Sequence, residues 1–341
     1  MGNALYDISV FKRFFDEQDR VLREEPPHVA EAARDALIHT EGPRFTGLLG
    51  RQIDELREVV KGYTKDEYER HGFYLRRKAW PFILGSAIHK RTNLKPRGYA
   101  GDAEMMRLIY ENAYDGHYVF NQLLHKFAVE LPAAQAVRNR RRYVPRLLRE
   151  VVLPRFRDLP PHGFRFMSVA SGPAWELQDV FLSADDHLRF SVTLLDQDVE
   201  ALESARAAVA RLEGDHGQPV RVEYVNESVR TMLRTHDLSQ RFGRFQFIYS
   251  IGLFDYLTPP VAKAVLAKIF ELLEPGGVLA VGNFHDQNPT RVYMDYWLDW
   301  PLFYRNEESF LDLAADLHAS RRSVTFDDTG CQMFLHLERA P

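Results

Sequence analysis

Apolar positions along the chain follow two rhythms that change near Pro154. From residue 10 to 153 they recur at helical spacing: Phe11, Phe14 and Phe15, then stretches 29–38, 48–60 and 103–110. Pro26-Pro27, Gly42-Pro43, Gly62 and Gly72 are expected to break these helices apart. Over 137–152, Val137, Val144, Leu147, Leu148 and Val151 form one apolar stripe, and Pro145 should kink or start that helix.

Beyond Pro154 short apolar runs alternate with helical stretches. The predicted strands are 166–170, 191–195, 220–225, 245–250 and 278–281; helices are expected at 175–182, 199–212 and 260–273. This alternation calls for a mostly parallel sheet with helices on both faces. The end departs from it. Runs 323–326 and 332–337 flank the turn Asp327-Asp328-Thr329-Gly330, and strands so close can only pair antiparallel. Two domains follow from the two rhythms: an all-helical one over 1–153 and an α/β one over 154–341.

Composition narrows the partners. The 341 residues are 45% hydrophobic and 27% charged with a net charge of -4, which gives no reason to expect nucleic acid as a partner. No apolar run approaches the ~20 residues that span a bilayer, and 1–20 lacks the apolar core of a secretory signal, so a cytoplasmic protein is expected. A single cysteine, Cys331, rules out an internal disulfide and any cysteine-based zinc cluster, and no metal site is expected. The arginines at 138, 140, 141, 142, 146 and 149 could bind an acidic partner, but a solvated helix face with salt bridges accounts for them more simply. No motif speaks to oligomeric state.

Candidate chemistry gathers at the predicted strand ends. After the first, Ser171-Gly172-Pro173-Ala174 makes a tight turn of small residues into a helix, a unit that lets a nucleotide approach the backbone. Asp196 ends the second strand roughly two dozen positions later, where a carboxylate can accept ribose hydroxyl protons; Asp198 is the better helix cap. The third strand ends in Asn226-Glu227-Ser228, polar side chains able to meet a base or simply to cap a helix. The fourth runs through Ser250 towards Asp255 and Tyr256. His285, after the fifth, stands where a base for a hydroxyl acceptor is useful or where a loop histidine would serve. Tyr304 and Arg305 could hold a carboxylate or pack at the surface. In the helical half, Lys95-Pro96-Arg97-Gly98-Tyr99-Ala100-Gly101-Asp102 is a candidate lid with Arg97, Tyr99 and Asp102 facing a ligand; an Arg97–Asp102 salt bridge is the plainer alternative.

The turn 168–176, Asp196, Leu273-Glu274-Pro275-Gly276-Gly277 before the fifth strand and the closing hairpin resemble class I S-adenosylmethionine (SAM)-dependent methyltransferases. The phrase 95–102, with Gly282-Asn283-Phe284-His285, Asn288-Pro289, Asp299-Trp300 and Tyr304-Arg305, resembles the bacterial family that includes the 3-hydroxypalmitic acid methyl ester biosynthesis enzymes of quorum-sensing systems. The resemblance implies a Rossmann-like class I methyltransferase domain, a seven-stranded sheet with an antiparallel C-terminal hairpin, behind an all-helical cap. It implies SAM as methyl donor and a small-molecule acceptor, a carboxylic acid or a hydroxy fatty acid. The donor site it implies comprises Ser168, Ala170, Ser171, Gly172, Pro173, Glu176, Asp196, Gln197, Asn226, Glu227, Ser228, Ser250 and Asp255, with Arg97 and Asp102; His285, Tyr99, Tyr256, Tyr304 and Arg305 are the catalytic candidates.

Two departures stand out. Ser168 and Gln246 occupy positions where that fold usually carries acids, so the methionine end of the donor needs support from elsewhere, with Glu176, Asp255 or Asp102 as substitutes. Methyl transfer by SN2 needs mainly alignment and exclusion of water. An intramolecular cyclisation of SAM that releases methylthioadenosine, a non-catalytic SAM-binding protein, and more remotely a nicotinamide oxidoreductase are the rival readings.

Overall fold

The structure, a computed structural model, describes residues 2–341 and divides into two compact units. The helical unit comprises the chain up to Gln135 together with Pro289–Pro301; the second unit comprises Ala136–Asn288 and Leu302–Pro341. The expected boundary at 153/154 therefore differs from the observed division. Helix continues past residue 135 without a break, and a short excursion after the fifth strand joins the helical unit. Met1, at the head of the stretch examined for a leader, lies outside the described residues.

The helical unit contains α1 (Gly2–Leu22), α2 (Pro27–Val60), α3 (Lys65–Ile83), α4 (Ala87–Leu94), α5 (Ala103–Glu111) and α6 (Val119–Glu130). Two of the expected breakers do not break. Gly42-Pro43 lies inside α2 and Gly72 inside α3. Both glycines serve close packing. A Cβ on Gly42 would come within 2.9 Å of the Leu123 side chain, and one on Gly72 within 3.4 Å of the Tyr296 ring. Phe15, Phe45 and Phe120 are fully buried and pack edge to face or tilted around this core.

Helix α7 (Pro132–Leu147) carries Pro145 in its last turn and passes into a π-helical turn, Leu148–Val152, then a 3-10 turn, Leu153–Arg155. The π turn inserts extra backbone per turn and rotates the register. Val144, Leu147 and Leu148 are therefore buried as expected, whereas Val151 is exposed.

The second unit is built on one seven-stranded sheet: β1 (Phe164–Val169), β2 (Phe190–Asp196), β3 (Arg221–Asn226), β4 (Phe245–Ser250), β5 (Leu273–Phe284), β6 (Ala319–Phe326) and β7 (Gln332–Arg339). Their order is β3-β2-β1-β4-β5-β7-β6, with β7 antiparallel to both neighbours and the other pairs parallel. This is the Rossmann-like class I methyltransferase sheet expected from the sequence. β1 and β4 are buried almost throughout because helices cover both faces.

Several short helices connect the strands: α8 (Leu177–Val180), α9 (Ala184–Arg189), α10 (Val199–His216), α11 (Val229–Arg234), α12 (Leu238–Phe242) and α13 (Pro259–Phe270). α14 (Arg291–Tyr296) belongs to the helical unit and α15 (Glu307–Asp312) precedes β6. Two local expectations change. The helix after the first turn is a single turn, α8, instead of 175–182. Leu273 to Gly277 is not a turn before the fifth strand but a bulge within it, with Gly276 at φ 75° and five residues of β5 set against two of β4. Among the described residues no helix is long and apolar enough to cross a membrane.

Candidate functional site

Because β1 to β5 run parallel, their C-terminal ends share one edge of the sheet, where open α/β folds bind ligands. The turn after β1 has an unusual backbone. Ala170, Gly172 and Ala174 all have positive φ, at 55°, 57° and 49°. A left-handed conformation costs an L-residue roughly 1–2 kcal/mol, so two alanines here hold strain that the surroundings must maintain. Hydrogen bonds do so: Ser171 N–H to Leu195 O at 3.0 Å, Ala174 N–H to Ser171 O at 3.3 Å, and Gly172 N–H to Asp196 Oδ2 at 2.7 Å. On the outer side there is room, since a Cβ on Gly172 would meet no atom within 4 Å. Pro173 and Ala174 are buried beneath.

Asp196 is the tie between the first two strand ends. Its other oxygen, Oδ1, accepts the Asp198 N–H at 2.9 Å, and Asp198 in turn caps α10. The carboxyl is 7% exposed, and burial pushes its pKa up against the opposing pull of these N–H groups. Each oxygen retains lone pairs for a further donor. Asn226 Nδ2 donates to the carbonyls of Asp196 and Gln197, both at 3.1 Å, locking the second strand end to the third. Gln197 is exposed. Glu227 is paired with Arg241, and Ser228 is the N-cap residue of α11. Asn226 and Glu227 thus spend polar atoms on the loop itself.

Glu176, two residues past the turn, is 6% exposed and accepts the Tyr249 hydroxyl at 2.7 Å; burial raises its pKa. Ser250 is buried and its Oγ donates to Val169 O at 2.7 Å, so it joins β4 to β1 and has no ligand-facing hydroxyl. Ser168 is 2% exposed within β1. Gln246 sits at the opposite end of the sheet, its Oε1 accepting the Arg165 N–H at 2.7 Å.

The expectation that Arg305 clamps an acceptor carboxylate is corrected. Arg305 is 5% exposed, and its guanidinium donates to Phe254 O at 2.9 Å, Leu257 O at 2.7 Å and the Asn283 side-chain oxygen. It fastens the loop after β4 to the end of β5. Asp255 belongs to the same fastening: Oδ1 accepts the Phe284 N–H at 2.7 Å, and the Asp255 carbonyl accepts the Phe303 N–H at 2.7 Å. It therefore braces the loop after β4 against the end of β5. Tyr256 and Tyr304 are half-buried in the same loops. His285 is half-buried, its backbone N–H donating to Cys331 O at 2.7 Å. Its Nδ1 accepts the Gln287 N–H at 3.3 Å, and its Nε2 lies 3.6 Å from the Asp286 carboxylate.

Burial drives the Asp255 pKa up to about 6, the charges of Arg140 and Arg305 only partly opposing it. The folded state therefore binds this proton more tightly than the unfolded chain, whose carboxyl titrates near 4. Its contribution favours folding at low pH and is lost as pH rises from about 4 through 6. Asp255→Asn should keep the acceptor for Phe284 and remove that slope. The stability of Asp255→Asn relative to the wild type is expected to be higher at pH 7.5 than at pH 5 by on the order of 1 kcal/mol. Urea titrations at the two pH values check this, and a pH-independent difference contradicts it.

The remaining candidates lie in the helical unit. Asp102 is fully buried and bidentate with Arg91, both contacts at 2.7 Å, and it caps α5 through the Met105 N–H. With both oxygens held by Arg91 it is committed to the helical unit instead of facing a ligand. Arg97 and Tyr99 are half-buried in the loop after α4. That loop begins with Lys95 at φ 45°, whose Nζ pairs with Asp299 at 2.6 Å. Two motifs far apart in sequence, 95–102 and Asp299-Trp300, are thereby brought together.

Sequence reasoning missed Arg140. It lies 8% exposed in α7, its Nη1 donating to Ile251 O at 2.9 Å just beyond β4. The signal was present: Val137, Arg140, Val144 and Leu147 share the buried stripe, so Arg140 is an arginine at a core position. Its neighbours behave as a solvated face should, with Arg141 paired to Asp179, Arg149 to Asp186, and Arg142 and Arg146 exposed.

No family model and no curated sequence matches the chain. Among solved structures it is similar to a possible exported protein from Bordetella parapertussis at 16% identity, over 89% of this chain and 98% of that one, with a TM-score of 0.53. This is a likeness of fold. It is also similar to an O-methyltransferase family protein from Burkholderia thailandensis (14% identity, 80% of this chain and 72% of that one, TM-score 0.45). A third is the magnesium protoporphyrin IX methyltransferase from Synechocystis PCC 6803 with bound SAM (10% identity, 61% and 83%, TM-score 0.41).

Proposed function

We propose that this chain is a SAM-dependent methyltransferase acting on an oxygen of a small acceptor. The observation that carries the reading is the strained turn after β1, with three alternate positive-φ residues fastened through Gly172 N–H to the carboxylate that ends β2. Strain of this kind is kept where a ligand uses it. The fit to SAM is good. Asp196 retains acceptor capacity for ribose hydroxyls, Gly172 leaves open space above the turn, and an uncharged sugar needs no pyrophosphate-binding glycine fingerprint.

Ala170 to Ala174 and Asp196 would hold the nucleoside, and Glu176 the amino-acid end. Bound there, SAM supplies a methyl group activated by its sulfonium. The chain's own task is then positional: to fix the donor, exclude water and orient the acceptor. The Nδ1 lone pair of His285 is already engaged by the Gln287 N–H. A carboxylate acceptor, which arrives deprotonated, therefore suits the site better than a hydroxyl. A hydroxy fatty acid and a place in quorum-sensing or other secondary metabolism rest on family resemblance, as does action in the cytoplasm.

Incubating the purified protein with SAM, with and without a panel of carboxylic and hydroxy acids, tests the reading. S-adenosylhomocysteine produced only when an acceptor is present supports it. Methylthioadenosine produced from SAM alone replaces it with intramolecular cyclisation. Tight binding without turnover across the panel replaces it with a SAM-binding, non-catalytic protein.

A further inference from the structure

Two imidazoles face each other at the edge of the sheet opposite the strand tips described above. Helix α9 runs straight into β2 and α10 ends just before β3, which brings the last turns of both helices to that edge. There His187 Nε2 stands 2.8 Å from His216 Nδ1, with 5.1 Å between ring centroids and 73° between ring planes. His187 Nδ1 lies 3.3 Å from Pro219 O. A carbonyl only accepts, so Nδ1 carries the proton, and Nε2 of the neutral ring turns its lone pair towards His216. An outer nitrogen donating to a backbone carbonyl, with the inner one left basic, is how metal-binding histidines are oriented.

Packing fixes one side of the pair. His187 is 1% exposed, and the Phe181 ring meets it edge-on at 5.2 Å. Glu213, one helical turn before His216, accepts the Val220 N–H at 2.9 Å and ties the end of α10 to the same segment as Pro219. The other side is open. His216 is half-buried, and the next residue, Gly217, has φ 63° and no atom within 4 Å of where a Cβ would stand. The carbonyl end of the 18-residue helix α10 adds partial negative charge there.

We propose that His187 Nε2 and His216 Nδ1 form a two-histidine site for a divalent transition ion of tetragonal preference, Ni²⁺ or Cu²⁺. With metal–nitrogen bonds of about 2 Å, ligands at the right angle of such a site stand about 2.8 Å apart, whereas a tetrahedral zinc site needs about 3.3 Å. Binding exchanges one hydrogen bond for two bonds to the metal. The His216 proton moves from Nδ1 to Nε2, both rings stay neutral, and no proton is lost. Among the described residues no three histidine, cysteine or carboxylate side chains could hold a metal together, so water fills the remaining positions and the affinity is moderate. The ion would clamp the ends of α9 and α10 beside the entry to β3, whatever the opposite edge binds.

The same spacing suits an N–H···N hydrogen bond, and the experiment separates the two. Tag-free full chain, freed of metal with a chelator and dialysed, is titrated with NiCl₂ by calorimetry. One equivalent should bind with a Kd of order 10 μM, and Ni²⁺ a hundredfold above that should raise the melting temperature by roughly 5–10 °C. His216→Ala should weaken binding at least tenfold and abolish the rise, while melting without metal within about 4 °C of the wild type. His216→Gln, whose amide can still donate to His187 Nε2, should lose the metal equally and serves where the alanine variant fails to fold. A wild type that takes up no Ni²⁺ below about 1 mM leaves a hydrogen bond only and overturns the proposal. Uptake undiminished in the variants assigns the ion to other histidines and overturns it as well.

Discussion

Asp196→Ala should lower the affinity for SAM or S-adenosylhomocysteine at least a hundredfold. The carboxylate accepts Gly172 N–H at 2.7 Å and Asp198 N–H at 2.9 Å and, on the proposed reading, its remaining lone pairs take the ribose hydroxyls. Removing it takes away charged hydrogen bonds worth about 1.5–3 kcal/mol each and unfastens a turn already strained at Ala170 and Ala174. Asp196→Asn separates the two roles. One amide oxygen can still accept a backbone N–H, so the fold should persist, while the amide nitrogen offers a donor where an acceptor is needed. Calorimetric titration decides the matter, and an affinity unchanged in the alanine variant would remove Asp196 from the site.

Arg305→Met should lower the melting temperature of the α/β unit by roughly 10 °C, with thermal unfolding as the measurement. Its guanidinium satisfies Phe254 O, Leu257 O and the Asn283 side chain at a buried point, and its charge partly offsets that of Asp255. Deleting one partner of such a buried charged network costs about 3–5 kcal/mol, and each kcal/mol shifts a unit of this size by about 2–4 °C. An arginine that held an acceptor would behave differently, leaving the melting temperature alone and raising KM. Arg305→Lys should fall between, because an ammonium cannot reproduce the fork that reaches two carbonyls.

The α/β half was largely legible because parallel strands buried on both faces write continuous apolar runs, and because two strands separated by five residues admit one pairing. The turn after β1, Asp196 and the hairpin were found where expected. Side-chain commitments were not legible. Arg305, Asp255, Asp102 and Ser250 are polar residues in promising places whose partners are backbone groups or distant side chains, and no local spacing announces Phe284 N–H or Arg91. Gly42 and Gly72 misled for a related reason: a glycine chosen for its missing side chain reads like one chosen for its backbone. Arg140 was misread by company, one arginine among six, although its place on the buried stripe marked it out.

The excursion Pro289–Pro301 has a consequence for how the molecule is made. Its residues complete the helical unit: the Tyr293 hydroxyl meets His89 at 2.6 Å, Asp295 accepts from Tyr68 at 2.8 Å, the Trp297 carbonyl accepts from Asn93 at 2.9 Å, and Asp299 receives Lys95. A ribosome delivers α1 to α6 long before it delivers these partners. During synthesis the amino-terminal helices therefore wait with an open seam until five of the seven strands have been translated. For the same reason, cutting the gene after residue 135 would not release a finished helical domain but one missing its keystone.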